Sequence, residues 1–203
     1  DEHKDFEADC RFRPERPVPR GLVRLRELRW IGFVAAIAQA ALAVALDPAL
    51  LGPLALAWSW MALMTLEFFA PAALKARPLL YMISHLAIMP LIAGFCIACG
   101  AAGTSLPPLA LGALLALAFV NGAALEIARK CWAPQDERPG VETYSKLWGP
   151  RTAATATAMA ILLGAALTAS VLRAGAAPAW LAAVVVVALL AALGALAFAA
   201  APS

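Results

Sequence analysis

Residues 180–200 read WLAAVVVVALLAALGALAFAA, and this stretch decides the fold class. It contains no charged residue, and its length matches the ~20 residues that a helix needs to cross the hydrocarbon core of a bilayer. An isolated segment in lipid must satisfy its own backbone hydrogen bonds, which a helix does and a single strand does not. We therefore predict a transmembrane helix here.

Five more apolar segments have similar lengths and are separated by turns rich in Pro and Gly, which end helices. The predicted spans are residues 30–46, 50–70, 78–99, 108–128, 152–172 and 180–200. The many Ala and Gly residues suit close approach between helices in lipid. The sequence thus predicts an all-α, polytopic transmembrane helix bundle with about six spans, forming a single transmembrane domain over residues 1–203.

The composition agrees with a lipid-embedded chain and excludes an ordinary soluble domain. Hydrophobic residues make up 63% and charged residues 14% of the chain, whereas soluble domains average about 45–50% apolar and about 25% charged residues. The net charge of +3 is modest, and no nucleic-acid partner or obligate protein partner is predicted. Because the chain opens at Asp1 without Met, we interpret it as a piece of a longer protein.

The positive charges alternate between the two sides of the predicted bundle. Residues 1–29 hold eight of the 16 Lys and Arg, residues 129–151 hold five, the turn after span two holds Lys75 and Arg77, and the alternate turns hold only Arg173. The positive-inside rule places the basic side in the cytoplasm. We therefore expect residues 1–29 and 129–151 to be cytoplasmic segments, and the Ala-rich, Pro-rich composition indicates a bacterial inner membrane.

The first cytoplasmic segment begins DEHKDFEADCRFRPERPVPR, residues 1–20, and places Asp1, Asp5 and Asp9 four residues apart. On a helix these carboxylates share one narrow stripe, where like charges repel. Mg²⁺ offsets such repulsion and typically takes one or two carboxylates together with substrate phosphates. The pattern is typical of a metal–diphosphate site, and the alternative is a solvated acidic helix end paired with Lys4 and the arginines.

The second cytoplasmic segment contains Glu126, Arg129 and Lys130, which share a helical face where the fourth span leaves the membrane. Ionisable groups at that depth are costly and are often functional. Arg129 offers a bidentate fork and Lys130 a point charge to phosphate oxygens, while Glu126 offers a metal ligand or orients Arg129. The alternative is a helix end with snorkelling basic residues. Asp136 follows in the loop beyond Pro134.

Four other residues were weighed for chemistry. His85 lies inside the third span, where a hydrogen-bonded bundle residue is the expected interpretation. Glu67 near the end of span two is expected to pair with Lys75 or Arg77. Tyr144 and Trp148 fit an interfacial position and are assigned no chemistry.

These motifs resemble those of the UbiA superfamily of intramembrane prenyltransferases. The family pattern NDxxDxxxD followed by RPxRPxPxG is similar to the aspartates of residues 1–9 followed by RPERPVPRG. The end of the second family motif, DxxxGxxTxxxxxG, is similar to Asp136, Gly140, Thr143 and Gly149. The resemblance covers residues 1 to about 151 through motifs, and the last two spans through topology.

The resemblance implies a bundle of roughly nine spans, of which this piece would lack the first two and the last. It implies a prenyltransferase, a transferase of alkyl groups other than methyl, that moves a prenyl group from a polyprenyl diphosphate to a small aromatic or lipid acceptor, with Mg²⁺ between the two motifs. Catalytic roles are expected for Asp5 and Asp9. The expected metal ligands are Asp1, Asp5, Asp9, Glu126 and Asp136, and the expected substrate-binding residues are Lys4, Arg16, Glu126, Arg129 and Lys130.

The second motif departs from the family pattern, which carries two or three aspartates spaced four apart. Only Asp136 matches, and Trp132 stands four residues before it. Either Glu126 supplies the second carboxylate, or Arg129 and Lys130 replace the charge of a lost metal. A non-catalytic isoprenoid-binding protein and a cation-transporting membrane protein therefore stay open as alternative functions.

Overall fold

The computed structural model describes residues 2–100, 106–174 and 180–201, and every regular element in those ranges is helical. Three short 3-10 turns cover Pro48–Leu50, Glu67–Phe69 and Pro134–Asp136. The α-helices are α1 Glu2–Phe12, α2 Leu25–Leu46, α3 Leu51–Thr65, α4 Pro71–Lys75, α5 Pro78–Leu86, α6 Ile88–Gly100, α7 Pro108–Arg129, α8 Tyr144–Trp148, α9 Pro150–Ala174 and α10 Leu181–Ala200. The all-α prediction is confirmed.

Six helical segments of the described ranges are long and apolar enough to cross a membrane. They are Leu25–Leu46, Pro48–Thr65, Pro78–Gly100, Pro108–Arg129, Pro150–Arg173 and Leu181–Ala200. At most 17% of the apolar window in each segment is buried inside the chain. Such a large exposed apolar surface, with Leu109 at 87% exposure, is suited to lipid rather than to water. The six predicted spans are confirmed.

Two span boundaries differ from the hydropathy pattern for local reasons. Helix α2 begins five residues before the predicted start at residue 30, because Glu27 Oε2 accepts the Arg24 N–H at 2.9 Å and caps a polar first turn. Span two ends at Thr65 rather than residue 70, since Glu67, Phe68 and Phe69 all have positive φ values, between 47° and 57°. Side chains disfavour this left-handed conformation, so a right-handed helix cannot continue through it.

The chain forms two compact units, the first of which comprises residues 1–78 and 95–102. Its apolar core is built from Ala43, Leu50 and Leu54, against which Trp58 and Phe95 pack. Trp58 Nε1 also donates to Gln39 Oε1 at 3.2 Å, which satisfies two polar groups within apolar helices. This unit carries the first aspartate motif on α1.

The second unit comprises residues 79–94 and 103–203, in which α9 packs against α7, α8 and α10. Small residues permit this packing, because a Cβ on Gly164 would lie 2.9 Å from Asn121 Oδ1. Tyr144 of α8 belongs to the buried cluster of this unit, together with Met82, Leu86, Ile127 and Ala153. The core thus anchors the end of the second-motif loop. The assignment of one transmembrane domain to residues 1–203 stays a prediction.

Candidate functional site

The first candidate cluster centres on Asp9, whose residue surface is only 3% exposed. Arg16 Nη1 lies 2.7 Å from Asp9 Oδ2, and Arg13 Nη1 lies 3.5 Å from Asp9 Oδ1. Each carboxylate oxygen therefore faces a guanidinium, which offsets the cost of burying the charge. Two cations against one anion make these three residues net positive by one charge.

A proline-rich turn brings Arg16 back to Asp9. The Arg13 N–H donates to the Asp9 carbonyl at 2.8 Å, and the Arg16 N–H donates to the Arg13 carbonyl at 3.1 Å. Two further turns follow, and Gly21 adopts a φ of 73° that suits glycine. The prolines of RPERPVPRG restrict φ along this segment. Folding it therefore loses little conformational entropy, and the backbone holds Arg16 near Asp9.

Asp5 lies on α1 four residues before Asp9, which confirms that these two positions share a helix. Asp1 falls outside the described residues, and so do the side chains of Lys4 and Asp5. Carboxylates at an i, i+4 spacing on a helix supply the hard oxygen ligands that Mg²⁺ prefers. The donor chemistry of Asp5 and Asp9 therefore fits this metal.

The second candidate cluster lies on the last turns of α7. Glu126 Oε2 accepts from Arg129 Nε at 2.6 Å, and Glu126 Oε1 lies 3.0 Å from Lys130 Nζ. The side chains of Glu126, Arg129 and Lys130 are 19%, 56% and 32% exposed, so the carboxylate sits beneath two more exposed cations. The predicted shared face is confirmed, and this cluster too is net positive by one charge.

The following loop covers the carbonyl end of α7. Trp132 Nε1 donates to the Arg129 carbonyl at 3.0 Å, and the Tyr144 N–H donates to the Lys130 carbonyl at 2.9 Å. Unpaired carbonyls give a helix C-terminus a partial negative charge. Donors from the loop reduce that charge beside Arg129 and Lys130, which makes this helix end more tolerant of an anion.

Tyr144 was expected to be an interfacial residue without chemistry, but the structure places it against the second cluster. Lys130 Nζ lies 5.5 Å from the centre of the buried Tyr144 ring, a distance at which a cation is attracted to the ring face. Burial, followed by the charge of Glu126, raises the pKa of Tyr144 to about 12. The phenol is therefore neutral near pH 7 and holds its hydrogen as a donor.

Glu137 is a residue that sequence reasoning missed. Its Oε1 accepts from the hydroxyls of Thr143 at 2.6 Å and Ser145 at 2.7 Å. The Ser145 hydroxyl in turn accepts from the Trp132 N–H at 2.8 Å. Glu137 thus ties together both ends of the second-motif loop. The sequence offered one indication of this role, which is that Thr143 matches the threonine of the second family motif. A buried threonine hydroxyl needs a hydrogen-bond acceptor, and Glu137 is an acidic residue of the same loop.

Asp136 ends a 3-10 turn on the surface of the same loop and is exposed. An open cavity of about 590 Å³ lies beside it. Its lining residues are Cys131, Trp132, Ala133, Gln135, Asp136, Glu137, Arg138 and Phe198. Among the side chains that the structure describes, no three of the types His, Cys, Asp and Glu form a group able to hold a metal.

Two further expectations about polar residues are confirmed. His85 Nδ1 lies 2.9 Å from the Tyr81 carbonyl and its ring stacks on the Tyr81 ring at 4.1 Å, so it is a hydrogen-bonded bundle residue. Glu67 Oε2 lies 3.7 Å from Lys75 Nζ, which confirms the expected ion pair in the turn after span two.

The geometry and the motifs together point to one family, and comparison with known proteins agrees. The model of the UbiA prenyltransferase family matches residues 2–202. The chain therefore belongs to the UbiA prenyltransferase family, and the match includes the last two spans, which the motifs do not reach. Members of this family are prenyltransferases embedded in membranes, which defines the general class of the chain. Comparisons with curated proteins and with solved structures gave no match.

Proposed function

We propose that this protein transfers a prenyl group from a polyprenyl diphosphate to a small aromatic or lipid acceptor, with magnesium-assisted release of diphosphate. The observation that carries the proposal is the pair of clusters around Asp9 and Glu126, each with a carboxylate bound to two cations. A net-positive cluster at the end of the apolar helix α7, and a second one on the polar helix α1, suit a ligand with an anionic head and an apolar chain. Membership of the UbiA prenyltransferase family supports prenyl transfer as the reaction that uses these charged clusters and apolar helices.

In this proposal Asp5 and Asp9 hold Mg²⁺, with Asp1 as a third ligand at the start of the motif. Bound Mg²⁺ would supply neutralisation of the charge that develops on the leaving diphosphate. Arg16, which lies beside Asp9, and Lys4 would bind diphosphate oxygens through charge-assisted hydrogen bonds.

In the second unit, Arg129 and Lys130 bind diphosphate oxygens and Glu126 holds their side chains in place. To act as a metal ligand, Glu126 would have to leave its two cations, and the same holds for Asp9, because both oxygens of each carboxylate lie within ion-pair distance of a cation. Asp136 keeps its proposed role as a metal ligand, since its exposed carboxylate lies on the second-motif loop.

The proposed reaction exchanges one bond for another. The bond between the allylic carbon and the diphosphate oxygen breaks, and its electron pair leaves on diphosphate. The acceptor forms a bond to that carbon, and the proton it loses passes to the departing diphosphate, whose oxygens are basic. Apolar helices exclude the water that would otherwise capture the carbon. Fixed cations around the leaving group lower the barrier because they are oriented before the charge develops.

The proposed location is a bacterial inner membrane with residues 1–29 and 129–151 in the cytoplasm. The support is the distribution of Lys and Arg, of which 15 of 16 fall in alternate connections on one side of the predicted bundle. Water-soluble diphosphate would then be released on the cytoplasmic side.

The test is diphosphate release by the purified protein in nanodiscs, from a labelled polyprenyl diphosphate and a panel of aromatic and lipid acceptors. We expect release that requires Mg²⁺ and is lost in Asp5→Asn and Asp9→Asn. Matched controls are Asp47→Asn, which removes a carboxylate that caps a 3-10 turn, and Arg26→Gln on the exposed surface of α2.

Two other results would assign another function. Binding of the prenyl diphosphate without release, across the whole acceptor panel, would indicate a non-catalytic isoprenoid-binding protein. This alternative draws on Trp132, which stands where the family motif has an aspartate. Neither binding nor release, together with cation flux in sealed vesicles, would indicate a transporter.

A further inference from the structure

The second cluster has a charge opposite to that of the family motif it replaces. A motif of two or three aspartates is negative and attracts a diphosphate only after it binds metal. Glu126, Arg129 and Lys130 together carry one net positive charge before any metal binds. Coulomb attraction alone therefore draws a diphosphate to this helix end, and it strengthens as the local dielectric falls.

The two cations have donors beyond those that contact Glu126. A guanidinium has five N–H groups and an ammonium has three. Arg129 directs Nε and Nη2 at one carboxylate oxygen, and Lys130 directs Nζ at the other. Glu126 thus holds both cations at fixed positions while most of their N–H groups point elsewhere. Arg129 is the more exposed of the two, at 56% of its side-chain surface.

Donors from the following loop also engage the last two backbone carbonyls of this cluster. The Trp132 indole and the Tyr144 N–H occupy the carbonyls of Arg129 and Lys130, which would otherwise be oxygen ligands for a metal and would repel an anion. Tyr144 stays protonated, because burial and Glu126 raise its pKa to about 12, and so it adds no negative charge here at neutral pH.

From these contacts we propose that Glu126, Arg129 and Lys130 form a diphosphate site that works without metal, on the helix that leads into the second family motif. The inference rests on the proposed function, since it concerns the diphosphate of that reaction. It adds that Arg129 and Lys130 bind diphosphate even when no metal is present.

The test is binding of labelled inorganic diphosphate to the protein in nanodiscs, at low salt and with excess chelator. The background is the variant Asp5→Asn/Asp9→Asn, which removes the proposed metal ligands of the first motif. We expect this background to keep binding diphosphate with chelator present. Adding Arg129→Gln and Lys130→Gln should then weaken binding by roughly 100-fold, since each lost charge-assisted contact costs about tenfold.

A matched control removes two exposed positive charges elsewhere, by Arg26→Gln on α2 and Arg173→Gln in the last turn of α9. It should change diphosphate binding by less than about threefold, because salt and water screen exposed charges that do not contact the ligand. Arg129→Lys should weaken binding by about threefold, less than the loss in Arg129→Gln, since it keeps the charge and loses the planar fork.

Binding that disappears with chelator would refute the inference, and so would chelator-resistant binding that the Arg129→Gln/Lys130→Gln pair leaves intact. Either result would leave the proposed function standing, because that proposal depends on diphosphate release that requires Mg²⁺, Asp5 and Asp9. Conversely, chelator-resistant binding without any diphosphate release would refute the proposed prenyltransferase activity. It would leave the proposal of a diphosphate site at Arg129 and Lys130 standing.

Discussion

Arg16 Nη1 lies 2.7 Å from Asp9 Oδ2, and this ion pair closes a proline-rich turn over a carboxylate that is almost fully buried. The contact joins the two halves of the first motif, the aspartate helix and the arginine–proline stretch. It places a positive charge against the buried carboxylate, and in the proposed function Arg16 also contacts the diphosphate. Both residues should therefore affect stability and ligand binding together.

Arg16→Ala should lower the stability of the ligand-free protein by about 2 kcal/mol, because it removes a charged hydrogen-bond partner from a buried carboxylate. It should also raise KM for the prenyl diphosphate by about tenfold, since one contact to the phosphate is lost. Thermal unfolding in detergent and steady-state kinetics measure the two effects. Arg20→Ala removes an exposed arginine of the same stretch and is the control. Equal results for both variants would contradict the assigned role of Arg16.

Glu126→Gln should weaken diphosphate binding although it makes the cluster more positive. Without the carboxylate, Arg129 and Lys130 repel each other and lose their fixed orientation, so ordering them costs more side-chain entropy on binding. We expect a loss of about fivefold and partial rescue by Glu126→Asp. Titration calorimetry with inorganic diphosphate makes the measurement. Tighter binding by Glu126→Gln would show that net charge, and not orientation, governs this site.

Several features were predictable because they depend on short-range periodicity. Six spans followed from apolar runs of about 20 residues, and the contacts of Glu126 with Arg129 and Lys130 followed from helical spacing. The pair of Asp9 with Arg16 depends on a turn through Pro14, and its direction cannot be obtained from spacing alone. The left-handed turn at Glu67, Phe68 and Phe69 has no glycine to mark it.

The loop contacts were not predictable for a related reason. Glu137 binds Thr143 and Ser145 across six to eight residues of irregular chain. Hydropathy shows only that such a segment is polar. It contains three acidic residues, Asp136, Glu137 and Glu142, and the sequence does not indicate which of them accepts from Thr143 and Ser145. The role of Tyr144 also depends on tertiary packing against α5, α7 and α9, whereas its sequence position suggests only an interfacial aromatic residue.

Thr143→Val should loosen the loop between α7 and α8. It removes a hydroxyl that donates to Glu137 and accepts the Lys146 N–H at 3.1 Å, leaving Glu137 and the N-terminus of α8 with one partner fewer. We expect a destabilisation of about 1–2 kcal/mol. Limited proteolysis should cut residues 131–143 faster. Thr155→Val is the matched control, since the Thr155 hydroxyl bonds only to backbone carbonyls of its own helix, and it should leave the cleavage rate unchanged.

Stability should fall at high pH through Tyr144. Burial raises its pKa to about 12 from an ordinary value of 10.0, so the folded state holds the phenolic proton more tightly than the unfolded state does. The stabilising contribution is therefore complete below pH 10 and is lost as the pH rises from about 10 to about 12. Thermal unfolding in detergent between pH 8 and 12 should show this decline, and Tyr144→Phe should reduce its slope. The control Tyr81→Phe keeps Tyr144 and should retain most of the decline. An unchanged slope in Tyr144→Phe would mean that Lys130 and the loop, rather than the buried phenol, set the alkaline limit of the fold.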